Sequence, residues 1–219
     1  MAEVNLLHRY PRAKRNIGMR TSAQSEENIR IARLYGREYF DGSRDTGYGG
    51  YRYDGRWLPI AEDMIAHFDL KPGDRVLDVG CGKGFLVKDL RKQCPELESF
   101  GLDISEYALL NCEPEVIGRL HLSNCLRLPF PDDSFAATIA INVVHNLDRA
   151  ECIGAVREIQ RLSPGRAYIQ VDSYRTPAEE ELFLSWVLTA KTHHDPSGWR
   201  QLFEEAGYTG DYYWTIIEA

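Results

Sequence analysis

The stretch Val76-Leu-Asp-Val-Gly-Cys-Gly-Lys-Gly-Phe-Leu-Val87 decides how this chain folds. A short apolar run carries one acid, Asp78, and then glycine at every second position, Gly80, Gly82 and Gly84. An amphipathic segment follows at once. Glycines at such a junction let backbone approach a ligand between a strand and a helix N-terminus, the layout of a nucleotide-type cofactor site. The spacing is G-x-G-x-G. A dinucleotide fingerprint needs its third glycine at the position held by Phe85, and a P-loop needs Gly-Lys-Ser/Thr, which is absent. NAD and ATP are therefore both disfavoured.

Working outward, apolar periodicity alternates between strand and helix. Strands are expected at 75–79, 98–103, 119–123, 135–142, 166–172 and 211–217. Helices are expected at about 84–93, 105–111, 148–162, 177–190 and 197–206, with Gly207 stopping the last. Before this block, Thr21 or Ser22 can cap a helix running to about 40, with Ile29, Ala32, Tyr35 and Tyr39 on one stripe. Residues 41–56, rich in Gly and Asp, read as a loop. A further helix starts near Trp57. Strands alternating with helices imply an α/β fold with a mostly parallel sheet covered on both faces. The expected division is a helical and aromatic extension over 1–56 and a cofactor domain over 57–219.

The 219 residues suffice for a full core, and 33 acidic against 26 basic residues give a net charge of −7. That balance argues against a general nucleic-acid or anionic-membrane binder, although Arg9, Arg12, Lys14, Arg15 and Arg20 make the N-terminus locally basic. No apolar h-region follows those charges, and no apolar run reaches the ~18 residues of a membrane span. The five cysteines are scattered, without a Cys-x-x-Cys pair, which reads as reduced thiols in the cytoplasm. His193-His194-Asp195 lacks further ligands at useful spacing, so no metal is assigned.

A second element is Gly101-Leu-Asp-Ile-Ser105, whose Asp103 lies 19 residues past Gly84. A carboxylate there can accept hydrogen bonds from both hydroxyls of a ribose at the carboxyl edge of the sheet. Ser105 is the better candidate for capping the next helix. With VLDVGCGKG, GLDIS, Leu128-Pro-Phe-Pro-Asp-Asp-Ser-Phe135 and Ala140-Ile-Asn142, the chain resembles the class I S-adenosylmethionine-dependent methyltransferases over roughly residues 57–219. The resemblance implies a Rossmann-like fold with a six- or seven-stranded sheet. It also implies S-adenosylmethionine as cofactor. Asp78 and the backbone of Gly80, Cys81, Gly82 and Gly84 would hold its methionine moiety, Asp103 its ribose, and Asn124 and Cys125 its adenine edge, with Ile104 also among the cofactor-binding residues. Two positions depart from the pattern. Asn124 stands where Asp is common, and Ala136 follows Ser134-Phe135 in place of Asp. The family usually closes with an antiparallel strand pair, yet one obvious strand remains after Gly207.

Candidates for the chemistry come from strand ends. Asn142 can accept from the cofactor amine or hold a substrate. His145 can be a general base or a packed residue. Tyr174 can face the sulfonium or fill the core. Residues 35–57 hold seven aromatics, among them Tyr48, Tyr51, Tyr53 and Trp57, interleaved with Arg52 and Arg56. They read as a lid that excludes water while Arg56 or a tyrosine clamps the methionine carboxylate, or else as a cluster that ties the first helix down. The expected function is methyl transfer to a small molecule in small-molecule biosynthesis, by a monomer or homodimer. A second reading is an azetidine-2-carboxylate synthase, in which the amine of S-adenosylmethionine attacks its own γ-carbon and methylthioadenosine leaves. A third is a cofactor-binding scaffold without catalysis.

Overall fold

The apolar run before Gly80 lies at the centre of the sheet. The structure, a computed structural model, describes residues 1–11 and 24–217. Its strands are β1 (Arg75–Val79), β2 (Glu98–Asp103), β3 (Leu120–Leu122), β4 (Ala137–Ile141), β5 (Ala167–Ser173) and β6 (Asp211–Ile216). They pair in the order β3-β2-β1-β4-β5-β6, and every pairing is parallel. Parallel strands need crossovers, and the helices that supply them bury both faces of the sheet. Side chains alternate across the pleat. Leu77 and Val79 enter one core with α6 (Arg149–Leu162) and α8 (Pro196–Ala206), while Val76 enters the other with α3 (Leu58–His67) and α4 (Phe85–Gln93). Asp78 shares the parity of Val76 and ends on the α3–α4 side of the sheet.

Each expected strand is present within two residues of its expected ends, and the six-stranded alternative is the one found. β6 runs parallel to β5, with Tyr168 opposite Asp211 and Ser173 opposite Ile216. Its other edge takes the beginning of the chain: Glu3 bridges Tyr212 in parallel, Val4 N–H donates to the Tyr212 carbonyl at 2.9 Å, and Tyr212 N–H donates to the Ala2 carbonyl at 3.0 Å. Leu6 then enters the second core beside Ile60, Met64 and Tyr168.

The expected helix up to residue 40 divides in two. The proposed caps Thr21 and Ser22, like basic residues Arg12, Lys14, Arg15 and Arg20, lie outside the described residues. α1 (Glu26–Ala32) is capped by Ser25, whose Oγ accepts the Asn28 N–H at 3.1 Å. Tyr35 is left-handed (φ 49°) and α2 (Arg37–Phe40) starts after it. That turn directs the Tyr35 carbonyl to the Ser105 hydroxyl at 2.5 Å, a contact an unbroken helix would forfeit. Ser105 also caps α5 (Glu106–Leu110) through the Ala108 N–H, as expected. α7 (Pro177–Trp186) is shorter than the expected 177–190, because Val187 is extended and residues 191 and 192 donate instead to the His145 carbonyl. No helix of the described residues is long and apolar enough to cross a membrane.

Candidate active site

At the end of β1 the backbone turns left-handed at Gly80 (φ 75°), Gly82 (φ 55°) and Gly84 (φ 77°). A Cβ on Gly80 would lie 2.3 Å from a Val143 methyl carbon, so only glycine fits. At Gly82 a Cβ would press on the Tyr51 ring at 3.2 Å, and the Gly82 N–H donates to Asp103 Oδ2 at 2.7 Å. The other Asp103 oxygen accepts the Ser105 N–H at 2.8 Å. Asp103 thus pins the glycine loop to the end of β2. Burial raises its carboxyl above the ordinary range, and the backbone N–H groups of Ser105 and Gly82 oppose that rise.

A cleft of about 430 Å³ opens beside this loop, at the carboxyl edge of β1, β4, β5 and β6. Of the sequence-derived candidates, Asp78, Gly80, Cys81, Asn142, Tyr48, Tyr51, Arg56 and Trp57 line it. Asp78 is 5% exposed, and its carboxylate has no hydrogen-bond partner among the described residues. Burial pushes its pKa well above the ordinary value, with the nearby Asp103 charge adding to the rise. Asn142 is left-handed (φ 56°), a conformation asparagine tolerates. Its N–H donates to the Gln170 carbonyl at 2.8 Å and its carbonyl accepts from Asn146 Nδ2 at 3.1 Å, so the amide side chain is free to face the cleft.

The remaining candidates lie outside the cleft lining. Ile104 is exposed, Asn124 Oδ1 accepts the Leu126 N–H at 3.0 Å, and Cys125 is buried with its thiol pushed up to about 11 by burial. His145 is buried, and its Nδ1 accepts the Asp172 N–H at 3.1 Å. Burial lowers its pKa, as packing in an apolar site requires. The Tyr174 ring packs on Phe183 and His193, with its hydroxyl 3.5 Å from His193 Nδ1. Among the described residues no group of three or more His, Cys, Asp or Glu is placed to hold a metal ion.

Residues 35–57 pack directly over the glycine loop. Tyr51 stacks on Phe85 at 4.5 Å and Tyr48 lies 4.5 Å from Tyr51. Asp41 joins the segment to the loop: it accepts from Lys83 Nζ at 2.6 Å, the Tyr107 hydroxyl at 2.8 Å and the Tyr51 N–H at 3.1 Å. Burial pushes the Asp41 carboxyl up, but Lys83 and Tyr107 outweigh it and the net shift is downward. Tyr53 turns away from the cleft and donates to the buried Asp89 at 2.6 Å. Arg56 is held by Asp54 and by the Tyr10 hydroxyl at 3.4 Å.

Sequence reasoning missed half of the cleft wall. Asn5, Leu7, Tyr10 and Pro11 line it from the N-terminal segment, Gln170, Tyr213 and Thr215 from β5 and β6, and Arg175 from the turn after β5. One signal was available, since Gln170 is a polar residue between Ile169 and Val171 in the middle of a buried strand.

The strand order, the glycine loop and the acid beyond it define a Rossmann-like cofactor-binding domain with its site at the carboxyl edge of the sheet. Residues 76–166 match the family model described as a methyltransferase domain. The chain is 31% identical over 128 residues to a demethylmenaquinone methyltransferase of Symbiobacterium thermophilum, covering 54% of this chain and 50% of that protein. It is 34% identical over 113 residues to a sterol 24-C-methyltransferase of Gibberella zeae, covering 48% and 29%. The chain thus spans about half or less of the length of these curated relatives. In fold it is similar to the YcgJ protein of Bacillus subtilis (TM-score 0.55, 19% identity, covering 70% and 68%). It is equally similar to an S-adenosylmethionine-dependent methyltransferase of Archaeoglobus fulgidus (TM-score 0.54, 21% identity, 69% and 68%). Residues 76–166 thus match a methyltransferase domain, and S-adenosylmethionine is the cofactor that such a domain implies. The residues fit that group. The Asp78 carboxylate, buried and without a hydrogen-bond partner among the described residues, matches the ammonium of a methionine moiety, which would supply a charge partner.

Proposed function

We propose that the protein transfers a methyl group from S-adenosylmethionine to a small-molecule acceptor bound in the cleft. The observation that carries this reading is the cleft itself, about 430 Å³, with Asp78 and Asn142 at one end and the chain's own residues 5–11 and 48–57 as its walls. That size suits a small ligand. When bound, the cofactor would supply a sulfonium methyl carbon open to in-line attack by the acceptor nucleophile, with the thioether of S-adenosylhomocysteine as the leaving group. The residues of this chain bind and align. Asp78 takes the methionine ammonium, Asn142 presents its amide beside it, and the Gly80–Gly84 backbone carries the chain of the cofactor. Asp103 holds the loop and the ribose, with Ile104, Asn124 and Cys125 toward the adenine. Residues 24–56 of the extension act as a lid on the domain 57–219, latched through Asp41 and Lys83. Holding donor and acceptor in register without water supplies much of the rate in such displacements. His145 and Tyr174 act here as supports for the 190s segment and β5, not as proton carriers.

A second reading, cyclisation of S-adenosylmethionine to azetidine-2-carboxylate, has one observation in its favour. Asp78 is buried, without a partner among the described residues and raised in pKa, the properties of a base for the cofactor's own amine. Incubation with S-adenosylmethionine alone, followed by mass spectrometry, separates the two. Turnover to S-adenosylhomocysteine only when an acceptor is supplied supports methyl transfer. Methylthioadenosine with a four-membered cyclic amino acid, formed without acceptor, supports cyclisation. Binding with neither product under any condition supports a scaffold.

A further inference from the structure

The half of the cleft away from Asp78 has a one-sided hydrogen-bonding character. Gln170, 5% exposed, donates from Nε2 to Thr215 Oγ1 at 2.7 Å, and its Oε1 lies 3.2 Å from the Tyr168 hydroxyl, whose proton is shared with the Val4 carbonyl at 3.1 Å. Thr215 Oγ1 therefore serves as acceptor to the protein, and its own proton is left for the cleft. On the N-terminal segment beside β6 the Asn5 side-chain carbonyl accepts the Leu7 N–H at 3.1 Å, and its NH₂ group has no partner among the described residues. The Tyr10 hydroxyl accepts from Arg56, leaving its proton. The Tyr213 hydroxyl and the Arg175 guanidinium have no partner among the described residues, and both line the cleft. Arg175 uses only its main-chain N–H, donated to Glu179 at 2.6 Å.

The charges point the same way. Asp78, Arg56 and Arg175 are the charged side chains of the lining among the described residues. Asp78 belongs to the methionine end, and Arg56 is neutralised by Asp54. Among the described residues the exposed Arg175 is left as the unpaired charge of the lining, on a wall that also carries the hydroxyls of Tyr10, Tyr213 and Thr215. An ammonium-bearing acceptor would meet a cation and hydroxyl protons. A carboxylate or phosphate would satisfy the guanidinium and several of those protons together, the kind of charge-assisted contact that fixes orientation as well as affinity.

We infer that the acceptor carries an oxyanion, a carboxylate or a phosphate, held by Arg175 and the Thr215 hydroxyl at the β5–β6 end of the cleft. This rests on the methyl-transfer reading. The competing occupant of Arg175 is the carboxylate of the cofactor itself.

The test uses the full chain saturated with S-adenosylhomocysteine, whose own affinity is first measured by calorimetry. Benzoate, phenyl phosphate, benzamide and benzylamine are then titrated as probes, with binding followed by ligand-observed NMR. At least one anion should bind ten-fold or more tightly than the amide and the amine, and the stronger anion tells carboxylate from phosphate recognition. Arg175→Gln should weaken that anion ten-fold or more while S-adenosylhomocysteine binding stays within two-fold. Thr215→Val should weaken it several-fold. Absence of any preference for the anions, including no binding by any probe, overturns the inference, as does unchanged anion binding in Arg175→Gln. A parallel loss of S-adenosylhomocysteine affinity in that variant also overturns it, placing the guanidinium on the cofactor. Failure of the wild-type chain to bind S-adenosylhomocysteine at all would instead sink the methyl-transfer reading.

Discussion

Asp78 concentrates the conflict between stability and function at the scale of one residue. Its carboxyl is raised well above 3.8 by burial and the nearby Asp103, so the folded chain holds this proton more tightly than the unfolded chain. The stability it contributes is present below 3.8 and lost as pH rises through the higher folded value. Asp78→Asn should therefore raise the melting temperature at pH 7 without cofactor and flatten its fall with pH, while S-adenosylmethionine binding is lost. Equal melting curves for the two proteins would contradict this account. Asp103→Ala should weaken cofactor binding by about 1–3 kcal/mol, the cost of a charge-assisted hydrogen bond, read by calorimetry. His145 has the opposite sign. Burial lowers its pKa from 6.5, so its stabilising contribution is present above 6.5 and lost as pH falls below that toward the folded value. His145→Asn keeps an acceptor for the Asp172 N–H and should remove that part of the acid sensitivity. Cofactor affinity should stay within two-fold, and a collapse of affinity would return His145 to the site.

At the scale of elements, the segment over the glycine loop is held by few polar contacts. The Lys83 side chain is 9% exposed and ends on Asp41. Asp41→Ala removes the partner of a nearly buried ammonium together with the Tyr107 and Tyr51 contacts. Hydrogen bonds to charged groups of this kind are worth about 1.5–3 kcal/mol each. Amide exchange across residues 35–57 should accelerate at least ten-fold in that variant, while β1 and β4 keep their protection. Uniform protection would show that the aromatic packing of Tyr48, Tyr51 and Phe85 alone keeps the segment down. The broken helix over 26–40 is also decided at this scale. The stripe of Ile29, Ala32, Tyr35 and Tyr39 reads as continuous helix, yet the Tyr35 carbonyl finds the Ser105 hydroxyl only if the chain turns at Tyr35.

Across the whole molecule, the N-terminal segment does two things at once. It covers the open edge of β6 and builds a wall of the cleft. Exposed edges invite pairing with other chains, and Ala2 to Val4 occupy this one. Val4→Pro removes the donor to the Tyr212 carbonyl, so the first residues should detach. The variant should show a lower melting temperature and concentration-dependent association by light scattering, with acceptor binding weakened more than cofactor binding. A monodisperse variant of unchanged stability would reject the edge-covering role. From sequence alone the six strands, their alternation with helices, the glycine loop and the acids Asp78 and Asp103 were legible. Those features depend on local periodicity and on backbone conformations that few residues other than glycine adopt. The acceptor end was not legible, because Asn5, Tyr10, Gln170, Arg175 and Thr215 come from three distant parts of the chain and carry no shared spacing. Only the parallel docking of β6 on β5, and of the first residues on β6, brings them around one cleft. That docking is set by long-range edge pairing and by the burial of Leu6 and Tyr168, which no local pattern encodes.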